Sequence, residues 1–503
     1  MLSPERLQRL QRHTERLGRR SLRELCADPV RAGDWSLSVG PLYFNYARQH
    51  LDDAALAELI ELAESSDVKA ALRRQFDGEI VNISEGRAVL HTALRSDVGE
   101  GEAARDARGQ AQVVQSDMRK LARELAATNI TDIVHVGIGG SDLGPRLLLD
   151  ALQKPTARFR VHFVSNADAH EAQRVLAGLD PAHTAGVLVS KSFGTRETLL
   201  NGALLRDWLG DASRLYAVSA NLDRVGDFGI PVERVLPMWD WVGGRFSLWS
   251  AVGFSVLLAL GEDAFDELLA GAALMDRHVA HAEPAANMAV LHALFALWNR
   301  NVRGMTSEAV IAYDQRLSQL PAYLQQLRME SLGKSVGRDG QPLSQVTAPV
   351  TWGGVGSTTQ HSFFQALHQG SERLPMEFIG VRRADHDRAD QHAVLLANLL
   401  AQAEALANGQ SSEEKQRHYP GGTPSSMLLM DRLTPEALGA LLALYEHSTA
   451  VLGHLWGLNT FDQWGVELGK VLASRLETVL RDEQVEGVDD AVTRLLLEHL
   501  RRA

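Results

Sequence analysis

Apolar residues recur at helical spacing through residues 1–75, at Leu7 and Leu10 and again across Asp53–Ala63, so this part of the chain reads as largely helical. Between these helices lies Tyr43-Phe44-Asn45-Tyr46, whose aromatic rings are expected to pack against a core. Residues 76–105 read as loop-rich, and Ala104–Thr128 as one long amphipathic helix. The pattern then changes to short β-rich runs separated by helical stretches. Ile133–Val136, Arg160–Ser165, Gly186–Ser190 and Leu215–Ser219 are predicted strands. Ala167–Ala177 and Glu197–Leu209 are predicted helices, and Phe246–Leu260 a buried one. The rhythm returns with strands at Glu308–Tyr313, Pro349–Trp352 and Glu377–Gly380. The helices between and after them are expected at Ser318–Glu330, Thr358–Gln369 and from about His392 to Ala407. Alternation of this kind argues for mainly parallel sheets covered by helices on both faces. Two such units would be joined by a helical stretch around 265–305. Thr434–Leu458 and Val466–Leu480 complete the chain as helices, with Thr434 and Pro435 as cap and first turn. Asn408–Ser426, rich in Gly, Ser, Glu and Pro, reads as a flexible loop.

A chain of 503 residues is too long for one ordinary core, so two or three domains are expected. Its net charge of −12 disfavours a nucleic-acid or anionic-membrane surface. An anionic substrate would therefore depend on local donors. The single cysteine, Cys26, rules out an intramolecular disulfide and a multi-cysteine zinc site. The charged, amphipathic N-terminus lacks the apolar core of a secretory signal, and no run reaches the length of a membrane span. A cytoplasmic protein is the simplest expectation.

The stretch Thr131–Leu149 carries the strongest chemical signal. A buried strand leads into Gly137, Gly139 and Gly140, then Ser141, and Gly144-Pro145 suits a helix start. Strand, glycine turn and helix N-terminus make an anion site, because free N–H groups and the positive dipole end point the same way. The spacing fits neither the dinucleotide fingerprint nor a Walker loop, which points to a phosphorylated small molecule rather than NAD or ATP. A tight turn with no ligand explains this stretch equally well when it is taken alone.

A second loop, Ser190–Thr198, follows a strand and opens a helix. It holds the hydroxyls of Ser190, Ser192, Thr195 and Thr198 beside Lys191. One helix cap needs one hydroxyl, so four favour a phosphate. Arg245 follows two glycines, Gly243 and Gly244, which suits a guanidinium brought close to a ligand oxygen. Glu330 sits at the end of a predicted helix stopped by Gly333. A carboxylate facing the negative dipole end is poorly placed for structure and suits a general base. His361 and His368 lie in a second glycine-rich turn into a helix, and Lys470 near the C-terminus. Each of these residues alone is more often an ordinary surface or core group. The run Asp385–His392 and the pair His278 and His281 resemble metal clusters in composition only. The arginines around the first make a solvated charged face the better reading.

Taken together, the segments GIGGSDLGP, SKSFGTRET, GGRFSLWS, MESLGK, QHSFFQALHQG and FDQWGVELGK, in this order across 137–470, closely resemble the glucose-6-phosphate isomerase (phosphoglucose isomerase) family. That resemblance implies two sugar-isomerase-type α/β/α sandwich domains with mainly parallel sheets, plus N- and C-terminal helices. The smaller domain would span 108–265 and the larger would combine 1–107 with 266–503. It also implies a cofactor-free, metal-free homodimer that interconverts glucose 6-phosphate and fructose 6-phosphate through a cis-enediol(ate). By matching position, Glu330 resembles the base that carries a proton between C2 and C1, and Arg245 the residue that stabilises the enediolate. His361, contributed by the partner subunit, resembles the ring-opening acid/base, and Lys470 its helper. Ser190, Ser192, Thr195 and Thr198 match the phosphate loop, with Ser141 and Lys191 nearby. Gln326 and Gln463 match sugar-contacting glutamines, and Gly139 and Gly244 line the same substrate site. Ser192 and Gly194 stand where threonine is usual, Leu332 replaces the common Asn or Gly, and Tyr419–Pro424 lacks the usual Asn-Arg pair. Changed substrate affinity, rather than lost chemistry, is the expected consequence. Side activity on mannose 6-phosphate is a rival within the same chemistry. A sugar-phosphate-sensing regulator is a rival from another class, but no basic helix-turn-helix stretch accompanies it.

Overall fold

The computed structural model describes residues 2–18, 20–482 and 488–501. Its strands are β1 (Ser36–Val39), β2 (Leu42–Asn45), β3 (Asp132–Val136), β4 (Arg160–Val164), β5 (Thr184–Val189) and β6 (Leu215–Ser219). They continue with β7 (Val235–Pro237), β8 (Ser307–Tyr313), β9 (Val350–Val355), β10 (Met376–Val381) and β11 (Ser425–Met430). The first sheet is five-stranded, in the order β4-β3-β5-β6-β7, and parallel throughout. Its central strands β3, β5 and β6 are buried along their whole length, which is why they read as apolar runs rather than alternating ones. Because β3 lies between β4 and β5, the direction of winding reverses between β3 and β5. The loops after these two strands leave the same sheet edge side by side, where doubly wound folds bind ligands.

The second sheet is six-stranded, in the order β1-β2-β11-β10-β8-β9. Strands β9, β8, β10 and β11 run parallel, whereas β2 pairs antiparallel with both β11 and β1. The mainly parallel α/β class is therefore as the alternation implies, with one antiparallel edge. That edge corrects the helical reading of the N-terminal region: Ser36–Asn45 is a hairpin. Its aromatic residues do face the core, with Phe44 and Tyr46 buried.

Other expected elements are also redrawn. Phe246–Leu260 starts at the end of the 3₁₀ turn Gly244–Phe246 and contains a second, Ala251–Gly253, before a short helix at Phe254–Leu260. Thr358–Gln369 divides into Gly356–Gln360 and Phe364–Gln369. The end of the segment read as a flexible loop enters β11. The helix expected over Ser318–Glu330 starts as α at Leu320–Leu324 and widens to a π-turn over Gln325–Glu330.

Helix Pro435–Trp456 is buried on almost every side and packs along Glu262–His281 and Met288–Leu297. Thr434 caps it, accepting from the Ala437 N–H at 3.1 Å, and Pro435 occupies the first turn. At its middle a charged group is fully enclosed. Arg95 donates to Asp276 at 2.8 and 2.9 Å and to Glu446 at 2.6 Å, and none of the three side chains is exposed. No helix among the described residues is long and apolar enough to cross a membrane.

Residues Met1–Phe461 cluster as one unit that contains both sheets, and Asp462–Ala503 as a second. Within the second, helices Glu467–Asp482 and Ala491–Arg501 share a small apolar cluster of Val479, Val488 and Leu497.

Candidate active site

Arg245 is carried on the 3₁₀ turn Gly244–Phe246 and is held from several directions. Its Nε donates to Ser331 Oγ at 2.7 Å, its Nη2 to the Thr460 carbonyl at 2.8 Å, and its Nη1 to Glu330 Oε1 at 3.2 Å. The other Glu330 oxygen accepts from Gln326 Nε2 at 3.0 Å, one π-turn earlier. Lys334 donates to the Glu330 and Ser331 carbonyls at 2.9 and 2.8 Å, placing a cation at the negative end of this helix. The Arg245 side chain is 1% exposed and that of Glu330 19%, so the carboxylate alone reaches open space.

The glycine turn after β3 presses onto this pair. A β-carbon at Gly139 would lie 3.0 Å from Gln326 Nε2. One at Gly140 would lie 2.2 Å from the Gly244 carbonyl and 2.7 Å from the Arg245 backbone nitrogen. Only a glycine at 140 lets the two loops meet, so the lack of a side chain there fixes where the guanidinium sits. His135 supports the turn from below. Its Nε2 lies 2.7 Å from the Ser141 carbonyl, which can only accept, so Nε2 carries the proton. Nδ1 then accepts from Ser255 Oγ at 2.8 Å. Burial pushes the His135 imidazole down to about 4, which keeps it neutral.

The hydroxyl-rich loop follows β5 at the neighbouring position on the sheet edge. It opens the helix Arg196–Leu209, whose first turn has no side-chain cap. Thr198 Oγ1 is buried and has no hydrogen-bond partner among the described residues. Ser190 Oγ donates to Thr195 Oγ1 at 3.3 Å. Uncapped N–H groups and an unsatisfied hydroxyl are what an incoming oxyanion would complete. Lys191 turns toward the run that leads to Arg245, donating to the Asp240 and Val242 carbonyls at 3.2 and 2.9 Å. Burial lowers the Lys191 ammonium from its ordinary value, against the pull of Asp240.

The structure thus brings together Gly139, Gly244, Arg245, Gln326 and Glu330. Ser141 lies in the same glycine turn, and Ser190, Lys191, Ser192, Thr195 and Thr198 in the adjacent loop. His361 does not join them. It stands exposed just beyond helix Gly356–Gln360, and its imidazole makes no hydrogen bond among the described residues. Gln463 and Lys470 belong to the C-terminal unit, where Lys470 pairs with Glu467 at 2.7 Å. Ser331 and Thr460, which anchor Arg245, carry no motif of their own. The adjacency of Ser331 to Glu330 was the one hint available for either. Among the described residues no group of three His, Cys, Asp or Glu forms a metal site. In the run Asp385–His392, Asp385 is instead paired with Arg316 at 2.7 Å and Arg432 at 3.3 Å, as a charged face would be.

The chain as a whole is similar to proteins of known activity. The family model described as "Phosphoglucose isomerase" matches residues 45–497. Glucose-6-phosphate isomerase of Stenotrophomonas maltophilia (strain R551-3) is 56% identical over 496 residues, covering 98% of each chain. That of Xanthomonas axonopodis pv. citri (strain 306) is 57% identical over 479 residues, covering 95% of each. The crystal structure of a glucose-6-phosphate isomerase from Chlamydia trachomatis superposes with a TM-score of 0.90 at 36% identity, covering 99% of each chain.

Proposed function

The chain belongs to the phosphoglucose isomerase family, and from that premise we propose how its residues divide the work. The enzyme interconverts glucose 6-phosphate and fructose 6-phosphate, an aldose–ketose isomerisation. A hydrogen on carbon next to a carbonyl is weakly acidic, so its removal needs a base in contact and a fixed charge for the oxygen that becomes negative. Glu330 is the base: it takes the proton from C2 of the open aldose and returns it to C1 of the cis-enediolate. Arg245 cannot lose its proton at working pH, and its guanidinium stabilises the enediolate oxygen. Gln326 orients the carboxylate through its bond to Oε2. The loop Ser190–Thr198, with Ser141, holds the phosphate remote from the bond changes, where it serves as the handle that sets the sugar's position.

Ring opening requires proton transfer at O1 and the ring oxygen. We assign this step to His361 of a second subunit, with Lys470 as helper and Gln463 as a sugar contact, in a cytoplasmic homodimer. The exposed, unbonded imidazole of His361 supports that assignment. The domain division at 108–265 is proposed on the same footing, supported by a first sheet confined to residues 132–237. The residues described need no metal or organic cofactor for these proton transfers.

The observation that carries the reading is the Arg245–Glu330 contact at 3.2 Å, with the carboxylate partly open and the glycine turn packed beside it. A coupled assay on fructose 6-phosphate with purified protein tests the activity, and His361→Ala tests the division of labour. That variant should lose turnover of cyclic substrate while sparing open-chain sugar phosphate, and equal loss of both would remove His361 from ring opening.

A further inference from the structure

Lys191 is spent on two backbone carbonyls, and a net charge of −12 gives an incoming phosphate no general attraction. Phe193 is buried and takes a left-handed backbone conformation, φ 45°, with its ring edge-on to Phe228 at 5.7 Å. That anchor leaves Ser192 and Gly194 on either side of it exposed. At Gly194 the space of a side chain is already filled. A β-carbon there would lie 2.4 Å from Arg224 Nη1 and 3.5 Å from Ser192 Oγ. Arg224 reaches this position from helix Leu222–Asp227, beyond β6, where Asn221 caps its backbone N–H at 3.1 Å. Arg224 is exposed, and it donates to the Ser192 carbonyl at 3.4 Å, a long bond that leaves most of its N–H groups uncommitted among the described residues.

We propose that Arg224 is a substrate-binding residue of this enzyme: its guanidinium lies over Gly194 and takes an oxygen of the 6-phosphate beside Ser192, in space that any side chain at 194 would occupy. The inference rests on reading Ser190–Thr198 as the phosphate loop. Planar, always charged and forked, the guanidinium suits a phosphate oxygen better than the hydroxyl a longer residue at 194 would bring. The loop and Arg224 come from successive strand ends of one sheet, so the phosphate would bridge β5 and β6.

The test is steady-state kinetics on fructose 6-phosphate, with inorganic phosphate as competitive inhibitor. Arg224→Ala should raise KM and the phosphate inhibition constant about tenfold, with kcat changed less than about twofold. Arg224→Lys should recover part of the loss. Gly194→Ala, which pushes the guanidinium aside, should give a similar loss, and the double variant should be no worse than either single one. Unchanged KM and inhibition in Arg224→Ala, or additive losses in the double variant, would overturn the proposal. A fall in kcat with a lowered melting temperature would also overturn it, by making Arg224 structural. Thr198→Val separates the two levels of the argument. If it weakens phosphate inhibition while Arg224→Ala does not, Arg224 alone is misassigned. If neither does, the loop itself does not bind the phosphate.

Discussion

Arg95 and Arg245 are both buried arginines bonded to carboxylates, but their surroundings differ in kind. Around Arg95 every direction is closed. Asp276 also accepts from Ser96 at 2.8 Å and contacts His447 at 2.6 Å, and Glu446 accepts from Trp249 Nε1 at 2.8 Å. The Trp249 ring lies 4.4 Å from the guanidinium. Burial pushes the Asp276 carboxyl up, but Arg95 and His447 outweigh it and hold it far below the usual range. Burial keeps Glu446 above the usual carboxylate value despite Arg95 and Trp249. Around Arg245, by contrast, the Ser331 hydroxyl and the Thr460 carbonyl are neutral anchors, and the Glu330 carboxylate is a longer contact and partly open. Two carboxylates more than offset the charge of Arg95, whereas neutral anchors fix Arg245 in place without cancelling its charge. An arginine spent on structure is enclosed with its carboxylates; one kept for chemistry is held firmly beside a carboxylate that reaches open space.

The sharpest way to break this contrast is to neutralise one charged partner in each region. Glu330→Gln should lower kcat about a thousandfold or more while leaving the urea unfolding midpoint nearly unchanged. Loss of stability there would place Glu330 with the structural group. Arg95→Leu should do the reverse. Removing one partner of a buried ionic group costs about 3–5 kcal/mol, because Asp276 and Glu446 are left short of a counter-charge. Chemical denaturation should show this, and the fraction still folded should isomerise with ordinary kcat.

Smaller effects refine the comparison. Gly140→Ala would drive a β-carbon into the backbone that carries Arg245, and kcat should fall about a hundredfold with the fold intact. Circular dichroism beside the assay would separate this from unfolding. Acid should act mainly on the enclosed histidines. His135 is held down to about 4 by burial, and burial with Arg95 nearby holds His91 well below its ordinary value. In the unfolded chain both titrate near 6.5. Between those values the unfolded state binds more protons, so stability is full above about pH 6.5 and is lost as pH falls toward 4. The unfolding free energy should therefore be lower at pH 5 than at pH 7.5, by about 2 kcal/mol from His135 alone, and His135→Asn should flatten the change. At the exposed end of the scale, Asp385→Asn should cost about 1 kcal/mol or less in denaturation.

What could be read in the sequence followed how local each signal was. The turn after β3 and the loop after β5 were legible because strand, glycines or hydroxyls, and helix start lie within one short stretch. The convergence of Glu330 and Arg245 was legible only through the family resemblance, because it joins residues across two turns and depends on Gly140 bringing them together. The hairpin Ser36–Asn45 was hidden by its helical neighbours, and its place is set by β11, nearly the whole chain away. β11 itself begins inside a segment whose Gly, Ser and Pro content argues for loop. Arg95, Asp276 and Glu446 look like ordinary surface charges in sequence. Only the packing of helices Glu262–His281 and Pro435–Trp456 encloses them.

The π-turn at Gln325–Glu330 carries a further consequence. In an α-helix each residue advances the chain by roughly 100° around the axis, and a π-turn accommodates one residue more than that geometry would. The aim of the carboxylate thus depends on how many residues precede it, as well as on which residue it is. An in-frame loss of a single codon upstream of Gln326 would let the helix rewind and swing Glu330 away from its arginine. Such an enzyme would retain all the side chains assigned to the reaction and still be inert.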